Sequence, residues 1–547
     1  MFYGRMYVQS WVLKRKGVFL HSYSFIISLL LAFLATSAFG LSGSVAVDGC
    51  NAKAVHQLGY TGAGIHVGLA TSKNMLTTHN AFTDSNGIAH AFNHDVIGEG
   101  FVYDYHDTPF AGIIISNGDA GHLNEIGVAP GAFAHCARIV DNSSQVYENY
   151  VEDVFDELII SQGCEVIVAG VQFSPADVTP DGTSQWALMY DYYAYTYDVV
   201  FANAAGNYYD EVAVFGDAYN GITTGGLELT DPDTYKRVGN ITNPGPTRDG
   251  RKKPEVVAPA TNQVTPGYSS STNGYWYTTS GSGATSWAVP HTAGVAALLL
   301  DFAKNSPYAD TEMTHNVVIK AAIVNSVFPN IDDKVGNNTD PADANNTWHS
   351  ERGYGRLDAA GAVETLAGER IFESNVNVVT SSSGWGYDTA DNSEMHTYKF
   401  SGTKNHRLIF TVTWNRKARK LGGSYYNETS PKFNIDVNVR NSADYVVYSE
   451  SGEPDNLEKF DLLLPADDIY IVELINTSNK SRAYGLAFEM RGPLAGDLNI
   501  DYAVDVFDLD YISDNWLTGS GSDKIDMVDV ALAFGNWMAV DDMYYNE

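Results

Sequence analysis

Ser286 lies where a loop rich in glycine and serine runs into an apolar segment of the chain. Thr285 and Ser286 are residue types that begin helices, and Pro290 fits a first helical turn. Residues 293–300 are apolar on every side, which predicts a helix buried in the middle of a domain. The backbone N–H of Ser286 and the positive end of that helix can stabilise an anion beside the Ser286 hydroxyl. The pattern suits a nucleophile for acyl transfer, although most serines in this position only cap their helix.

The sequence around Ser286 resembles the nucleophile segment of subtilisin-like serine peptidases. Residues 284–294 read Ala-Thr-Ser-Trp-Ala-Val-Pro-His-Thr-Ala-Gly, and only Ala284 departs from the family pattern, which has glycine there. Residues 106–113 resemble the family's helix that begins with the general base. The resemblance implies that Ser286 is the nucleophile and His106 the general base. Without it, a lone histidine before an apolar run would be read as a structural residue.

The resemblance extends to a donor for the oxyanion. Residues 204–207 read Ala-Ala-Gly-Asn after a predicted strand, as in the family's segment that places a side-chain amide at this site. Asn207 is therefore expected to stabilise the oxyanion together with the N–H of Ser286. Taken alone, an asparagine after glycine is a favoured turn residue. Residues 244–259 and 353–359 also resemble family segments, and the charges within 244–259 indicate a solvated loop.

The family's catalytic aspartate is missing from its usual position at the end of the first strand. Here the strand that begins at Ile65 ends in Thr71. Asp107 follows His106 directly but is expected to point to a different side of the helix, and Asp104 remains open. Three hypotheses follow. The chain is a serine endopeptidase attenuated by Thr71, a pseudopeptidase that binds peptides without turnover, or a docking protein that carries a peptidase fold as cargo.

Strand and helix patterns alternate along the first large region. Residues 133–140, 164–171 and 199–202 read as strands, and residues 147–162 as a helix. This alternation predicts an α/β fold with a parallel sheet and helices on both faces. Functional loops then lie at the carboxyl ends of the strands. We assign residues 41–370 to this subtilisin-like peptidase domain.

Two further modules are predicted after the peptidase domain. Residues 371–491 contain short strands with a period of two, which predicts an all-β sandwich. Residues 494–540 repeat an acidic loop and an Asn-Trp pair at an interval of 21 residues. They resemble type I dockerins, small α-helical, EF-hand-like modules that bind calcium and dock on cohesin modules. A solvated acidic tail is the alternative.

The predicted calcium loops differ in their number of oxygen ligands. Calcium prefers six to eight oxygen atoms in a loop that folds back on itself. The ligands of the first loop are predicted to be Asp497, Asn499, Asp501, Asp505, Asp508 and the carbonyl of Ala503. Asp526 and Asp529 supply the carboxylates of the second loop. Because it has fewer carboxylates, the second loop should bind calcium more weakly.

Composition and charge restrict the classes of function. A chain of 547 residues is too long for one hydrophobic core. Its formal charge of -33 disfavours nucleic acid and anionic membranes as partners. Basic residues 14–16 and the apolar run 25–38 precede a small-x-small site, so residues 1–40 predict a secretory signal peptide. We expect a secreted protein with a protein or peptide substrate and no membrane anchor in its mature form. A retained anchor is the alternative.

The odd count of three cysteines leaves at least one thiol unpaired within the chain.

The calcium assignment gives a direct prediction. A fragment from about Leu494 to Glu547 should gain helix when calcium is added, because the bound ion fixes the loop that precedes the first helix. Circular dichroism measures the gain, and Asp508→Ala should abolish it. Calorimetry that detects no heat of calcium binding by the unaltered fragment would reject the assignment.

Overall fold

The computed structural model describes residues 41–493 apart from ten short gaps. The gaps are residues 120, 172–177, 209–210, 231–233, 269–273, 279–282, 338–346, 374–376, 431 and 452–453. The predicted signal peptide (1–40) and the predicted dockerin-like module (494–540), with all of its calcium ligands, lie outside the described residues. Those predictions therefore stay predictions.

A mostly parallel sheet forms the centre of the first region. Its strands are β1 His66–Thr71, β2 Ala91–His94, β3 Phe133–Arg138, β4 Val166–Ala169, β5 Val200–Ala204, β6 Ile222–Thr230, β7 Thr234–Val238 and β8 Val256–Pro259. Their order is β2-β3-β1-β4-β5-β6-β7, with β8 also paired to β6. All pairs are parallel except β6–β7. The predicted parallel α/β core is confirmed.

Helices cover both faces of this sheet. They are α1 Leu41–Ser44, α2 Ala52–Gln57, α3 Asp107–Ile115, α4 Glu148–Phe155, α5 Gln185–Tyr197, α6 Thr285–Asn305, α7 Asn316–Asn325 and α8 Ala359–Ala367. Strand β4 shows why both faces need cover. Val166 and Val168 belong to the apolar cluster that contains α6, whereas Ile167 and Ala169 belong to the cluster that contains α4 and α5. Alternate residues of one strand thus enter two cores.

Helix α6 is buried from Thr285 to Ala303, as the apolar sequence predicts. Its start differs from the expectation. Ala284 is the N-cap residue and makes no side-chain capping bond, so Pro290 stands in the second turn of the helix and not in the first. A proline there has no N–H to donate, which leaves the Ser286 carbonyl without the usual i+4 hydrogen bond. The helix remains continuous because its whole surface is packed.

Residues 369–491 form additional β-sheets. One contains β11 Glu369–Arg370, β12 Ser383–Ala390, β14 Arg407–Trp414, β19 Leu457–Leu463 and β21 Arg482–Arg491; a second contains β13 Met395–Gly402, β17 Ile435–Arg440, β18 Val446–Glu450 and β20 Asp468–Asn476. Two hairpins complete the list, β9 Val264–Pro266 with β10 Tyr275–Tyr277, and β15 Ala418–Leu421 with β16 Ser424–Asn427. The two larger sheets share one apolar core, and their pairs are antiparallel apart from β11–β12.

These sheets are fastened to the peptidase region by buried polar contacts. The backbone N–H of Arg416 donates to Asn220 Oδ1 at 2.8 Å, and Asn220 Nδ2 donates to the Arg416 carbonyl at 2.9 Å. Lys459 Nζ donates to the carbonyls of Val324 and Asn325 at the end of α7. Burial lowers the pKa of Lys459 to about 7. The sheets and the peptidase region therefore pack as one body.

The expectation of a solvated loop at residues 244–259 is wrong for three of its charges. Arg251, Lys253 and Glu255 are buried, and Lys253 Nζ donates to Glu255 Oε1 at 2.6 Å. Lys320 Nζ from α7 lies 3.1 Å from the same oxygen. Burial lowers the pKa of Lys253 to about 8, although Glu255 favours its charge. Glu255 lies only two residues from Lys253, but Lys320 comes from a distant part of the chain, so local composition gave no sign of it.

Glu255→Gln should destabilise the protein strongly. The change leaves Lys253 and Lys320 buried beside a neutral amide, and removal of one partner from a buried ion pair costs about 3–5 kcal/mol. The expected result is a lowered midpoint of thermal unfolding, measured by differential scanning calorimetry. Glu211→Gln is a matched control, because Glu211 pairs with the exposed Arg248 and an exposed pair contributes little. Equal midpoints for the two variants would contradict the buried pair.

Candidate active site

The site forms where two helices begin beside the carboxyl ends of the parallel strands. Helix α3 packs against α6, and the Trp287 ring lies 5.0 Å from the His106 ring between centroids. Ser286 precedes Trp287 in the first turn of α6 and is 6% exposed. The fold thus brings the start of α6 and the predicted base into one place. Among the described residues, the Ser286 hydroxyl makes no hydrogen bond to the imidazole, a bond that often forms only with substrate.

His106 is oriented by the residue that follows it. Its Nδ1–H donates to Asp107 Oδ1 at 2.7 Å, and the Asp107 side chain is fully buried. Burial disfavours the charged imidazolium, but the hydrogen bond and charge of Asp107, with a contribution from Asp104, outweigh this and raise the pKa of His106. The carboxylate holds the proton on Nδ1. Nε2 is then the nitrogen that can accept a proton from a nucleophile.

The second oxygen of Asp107 is fixed to the end of β1. Oδ2 accepts the backbone N–H of Lys73 at 2.6 Å and the Ser72 hydroxyl at 3.3 Å. Thr71 is turned to other partners, because its hydroxyl donates to the Lys73 carbonyl at 2.6 Å and contacts Cys136 Sγ at 3.2 Å. A carboxylate therefore does reach the strand end where the family has one, but it arrives from α3.

This arrangement corrects one expectation, because Asp107 does not point away from His106. Thr71 makes no hydrogen bond to the imidazole among the described residues. His106 is the N-cap residue of α3 and Asp107 the first helical residue. The backbone of His106 is itself right-handed helical, with φ -93° and ψ -52°, and the two adjacent side chains nevertheless meet at 2.7 Å. Asp104 has a different task, since its Oδ1 accepts the N–H groups of His106 and Asp107. Burial, with the nearby charge of Asp107, raises the pKa of Asp104.

Asn207 is placed by the first residue of α6. Its Oδ1 accepts the N–H of Thr285 at 2.8 Å and the Thr285 hydroxyl at 3.2 Å. The amide NH₂ is consequently the end of the side chain that does not face Thr285. Gly206 has a φ of 100°, and a Cβ there would approach Asn243 Nδ2 to 2.5 Å, so glycine is needed for the turn that presents Asn207. The N–H of Ser286 belongs to the first turn of α6, where the helix supplies no acceptor.

Other titratable groups near the site are structural. His291 is fully buried in α6, and burial lowers its pKa to about 4, which keeps it neutral. Cys136 lies behind Thr71, and burial, with the charge of Asp107, raises the pKa of its thiol to about 12. All three cysteines are free and buried. A signal for Asp107 was present in the sequence, where an aspartate replaces the family's glycine after the base while the strand-end aspartate is missing.

No metal centre is found in the described part of the chain. Residues 41–493, outside their gaps, contain no group of three or more His, Cys, Asp or Glu side chains that could hold a metal ion. The predicted calcium ligands all lie beyond Pro493. The described helices also include none that is long and apolar enough to cross a membrane.

Residues 83–355 match the Subtilase family. The matched stretch contains His106, Asn207 and Ser286, and it begins after Thr71. This part of the chain is therefore similar to the Subtilase family, whose members are serine-type peptidases.

Two solved structures resemble the chain distantly. The prenylagaramide maturation protease PagA is 18% identical, with 57% of this chain and 97% of that chain covered and a TM-score of 0.42. The patellamide maturation protease PatA is 18% identical, with 56% and 97% covered and a TM-score of 0.43.

Thr71→Asp should not raise the activity of this site. The new carboxylate would be buried near Asp107, and two like charges in a dry environment oppose each other. We expect a lower midpoint of thermal unfolding and no faster covalent labelling of Ser286 by an organophosphorus reagent. Thr71→Asn is the matched neutral control and should lose less stability. Faster labelling of Thr71→Asp than of the parent chain would show that the acid position at the strand end is vacant.

Proposed function

We propose that the chain is a secreted serine endopeptidase that hydrolyses protein or peptide substrates. The observation that supports it most is the 2.7 Å hydrogen bond from His106 Nδ1 to the buried carboxylate of Asp107. A histidine that only fills space needs no buried carboxylate on one nitrogen. A general base needs one, because the carboxylate selects the tautomer and stabilises the imidazolium that forms.

The roles of the residues follow from their placement. Ser286 Oγ attacks the peptide carbonyl while His106 Nε2 takes the hydroxyl proton, and Asp107 balances the charge on the imidazolium. The oxygen of the tetrahedral intermediate receives hydrogen bonds from the Ser286 N–H and the Asn207 amide. His106 then gives its proton to the leaving amine. Water, activated by His106 in the same way, releases the acyl group from Ser286.

Because Asp107 supplies a carboxylate to His106, reduced activity is no longer expected. Attenuation was inferred from Thr71 alone, and Asp107 now supplies the carboxylate. A peptide-binding pseudopeptidase remains the second candidate. Pro109 stands where the family has a second histidine, and Ala260 and Ala284 stand where it has glycine. Ser286 also makes no hydrogen bond to His106 among the described residues. Export, a calcium-loaded dockerin-like module and a cohesin-like docking partner complete the proposal. They rest on the sequence patterns of residues 1–40 and 494–540.

An organophosphorus probe separates the two candidates without knowledge of the substrate. Such a probe needs an activated hydroxyl and an oxyanion donor but no matching peptide. We expect an adduct on Ser286, detected by mass spectrometry, which is lost in Ser286→Ala and His106→Ala and weakened in Asn207→Ala. No adduct on the folded chain after long exposure would favour the pseudopeptidase.

Asp107→Asn should slow the labelling of Ser286 by about 10³–10⁴-fold, because an amide leaves the imidazole in the wrong tautomer. The pH profile carries a second signature. The neutral imidazole is the base, so labelling in the parent chain rises through the pKa of His106, which lies above its ordinary value of about 6.5. Loss of the Asp107 charge should move that midpoint to lower pH.

Asp104→Asn is the matched control for this measurement. Asparagine caps helices about as well as aspartate, and Asp104 makes no hydrogen bond to the imidazole. The control should label at nearly the parent rate, with a smaller shift of the midpoint. If Ser286 is labelled as fast in Asp107→Asn as in Asp104→Asn, Asp107 has no role in the mechanism.

A further inference from the structure

Four aromatic side chains, one half-buried and three exposed, form a surface beside His106. This aromatic surface consists of Tyr103 and Tyr105 from the segment before α3, and Tyr268 and Trp276 from the β9–β10 hairpin. Tyr105 is 60% exposed, Tyr268 44% and Trp276 40%. The rings pair across the two segments, with centroids 5.9 Å apart for Tyr103 and Tyr268 and 5.6 Å apart for Tyr105 and Trp276. The surface thus consists of two ring pairs, each formed between the same two segments.

The aromatic surface is held in a fixed position relative to His106. Tyr105 directly precedes His106 in the chain, and β9 packs against α3. A Cβ on Gly112 of α3 would approach the Pro266 ring to 2.6 Å, which shows how closely helix and hairpin meet. His79 also anchors the hairpin through a 2.7 Å hydrogen bond to the carbonyl of Gly274. The helix that carries the base therefore also supports the surface.

Exposure of these rings needs a binding partner to explain it. Single exposed aromatic residues are ordinary, but a contiguous patch marks an interaction site. Tyrosine and tryptophan lose little conformational entropy when they bind and offer large flat faces. A partner with aromatic or large apolar side chains fits such a surface. The position next to His106 favours the peptide substrate over a second copy of the chain.

The path of the catalytic proton indicates which part of the substrate lies near the aromatic surface. Asp107 occupies Nδ1 of His106, so Nε2 must deliver the proton to the leaving amine. The leaving fragment of the substrate is consequently next to the imidazole, whereas the acyl oxygen faces Asn207 and the start of α6. The aromatic surface continues from the imidazole side of the site through Tyr105.

We propose that the aromatic surface binds aromatic or large apolar side chains in the first residues of the leaving fragment, and so selects the bonds that are cleaved. The proposal rests on the proposed peptidase function. The aromatic surface contributes to substrate affinity and not to the chemical step. Trp276 is the central residue, because it is both exposed and paired with the tyrosine that precedes the base.

Cleavage profiling tests the selection. The full chain is incubated with a peptide library, and the residues around each cut are read by mass spectrometry. We expect enrichment of aromatic and large apolar residues among the first three on the leaving side, and Trp276→Ala should lose it with about a tenfold rise in KM for such peptides. Tyr445→Ala, which removes an exposed ring of the β-sheet region, should keep it. The organophosphorus labelling rate should stay within about twofold of the parent in both variants, because no peptide is involved.

The outcomes separate the two proposals. Labelling of Ser286 without this enrichment, or with an enrichment that Trp276→Ala retains, overturns the aromatic surface and leaves the peptidase intact. If neither labelling nor cleavage is observed, the peptidase proposal fails. The aromatic surface is then tested by the binding of a peptide to the Ser286→Ala chain. A fluorescein-labelled Phe-Tyr-Phe-Gly-Ser peptide should then bind about tenfold more weakly after the additional change Trp276→Ala than after Tyr445→Ala. Equal binding would overturn the proposal, as would a dimer in sedimentation that Trp276→Ala converts to monomer.

Discussion

The site depends on one buried carboxylate with two sets of partners. One oxygen of Asp107 receives the His106 imidazole, and the other receives the backbone N–H of Lys73 at the end of β1. A buried carboxylate is stable only when hydrogen bonds and a nearby positive charge replace its lost hydration. Here the backbone supplies a permanent donor, and the histidine supplies a charge when it becomes protonated. The same contacts join α3 to the central sheet, so the geometry of the base and the packing of the domain are linked.

The predictable part of the structure was encoded locally or by family pattern. Period-two and apolar runs predicted the strands, and the apolar segment after Ser286 predicted the buried helix α6. The segments around His106, Asn207 and Ser286 carried the resemblance that places them in one site. The fold then brings His106 and the start of α6 together, although the contact between them involves the Trp287 ring and no hydrogen bond from Ser286.

What could not be predicted depended on exact backbone geometry or on distant partners. The angular spacing of helical residues placed Asp107 away from His106, but the two adjacent side chains at the start of α3 still meet in a 2.7 Å hydrogen bond. Pro290 was assigned to a first turn because helix starts vary by a few residues. Lys253 was expected in solvent, since Lys320 joins the Lys253–Glu255 pair only through the packing of α7. In each case the missing information lay in three dimensions.

The way Lys459 and Arg416 fasten the β-sheets has a consequence for the lifetime of an active enzyme. A peptidase is exposed to copies of itself, and the connection between two regions is a common place for a cut. Here the ammonium of Lys459 is buried against the carboxyl end of α7, and Arg416 is bonded on both sides to Asn220. A single break in the connecting chain would leave these contacts in place. The two regions would stay associated as a nicked molecule.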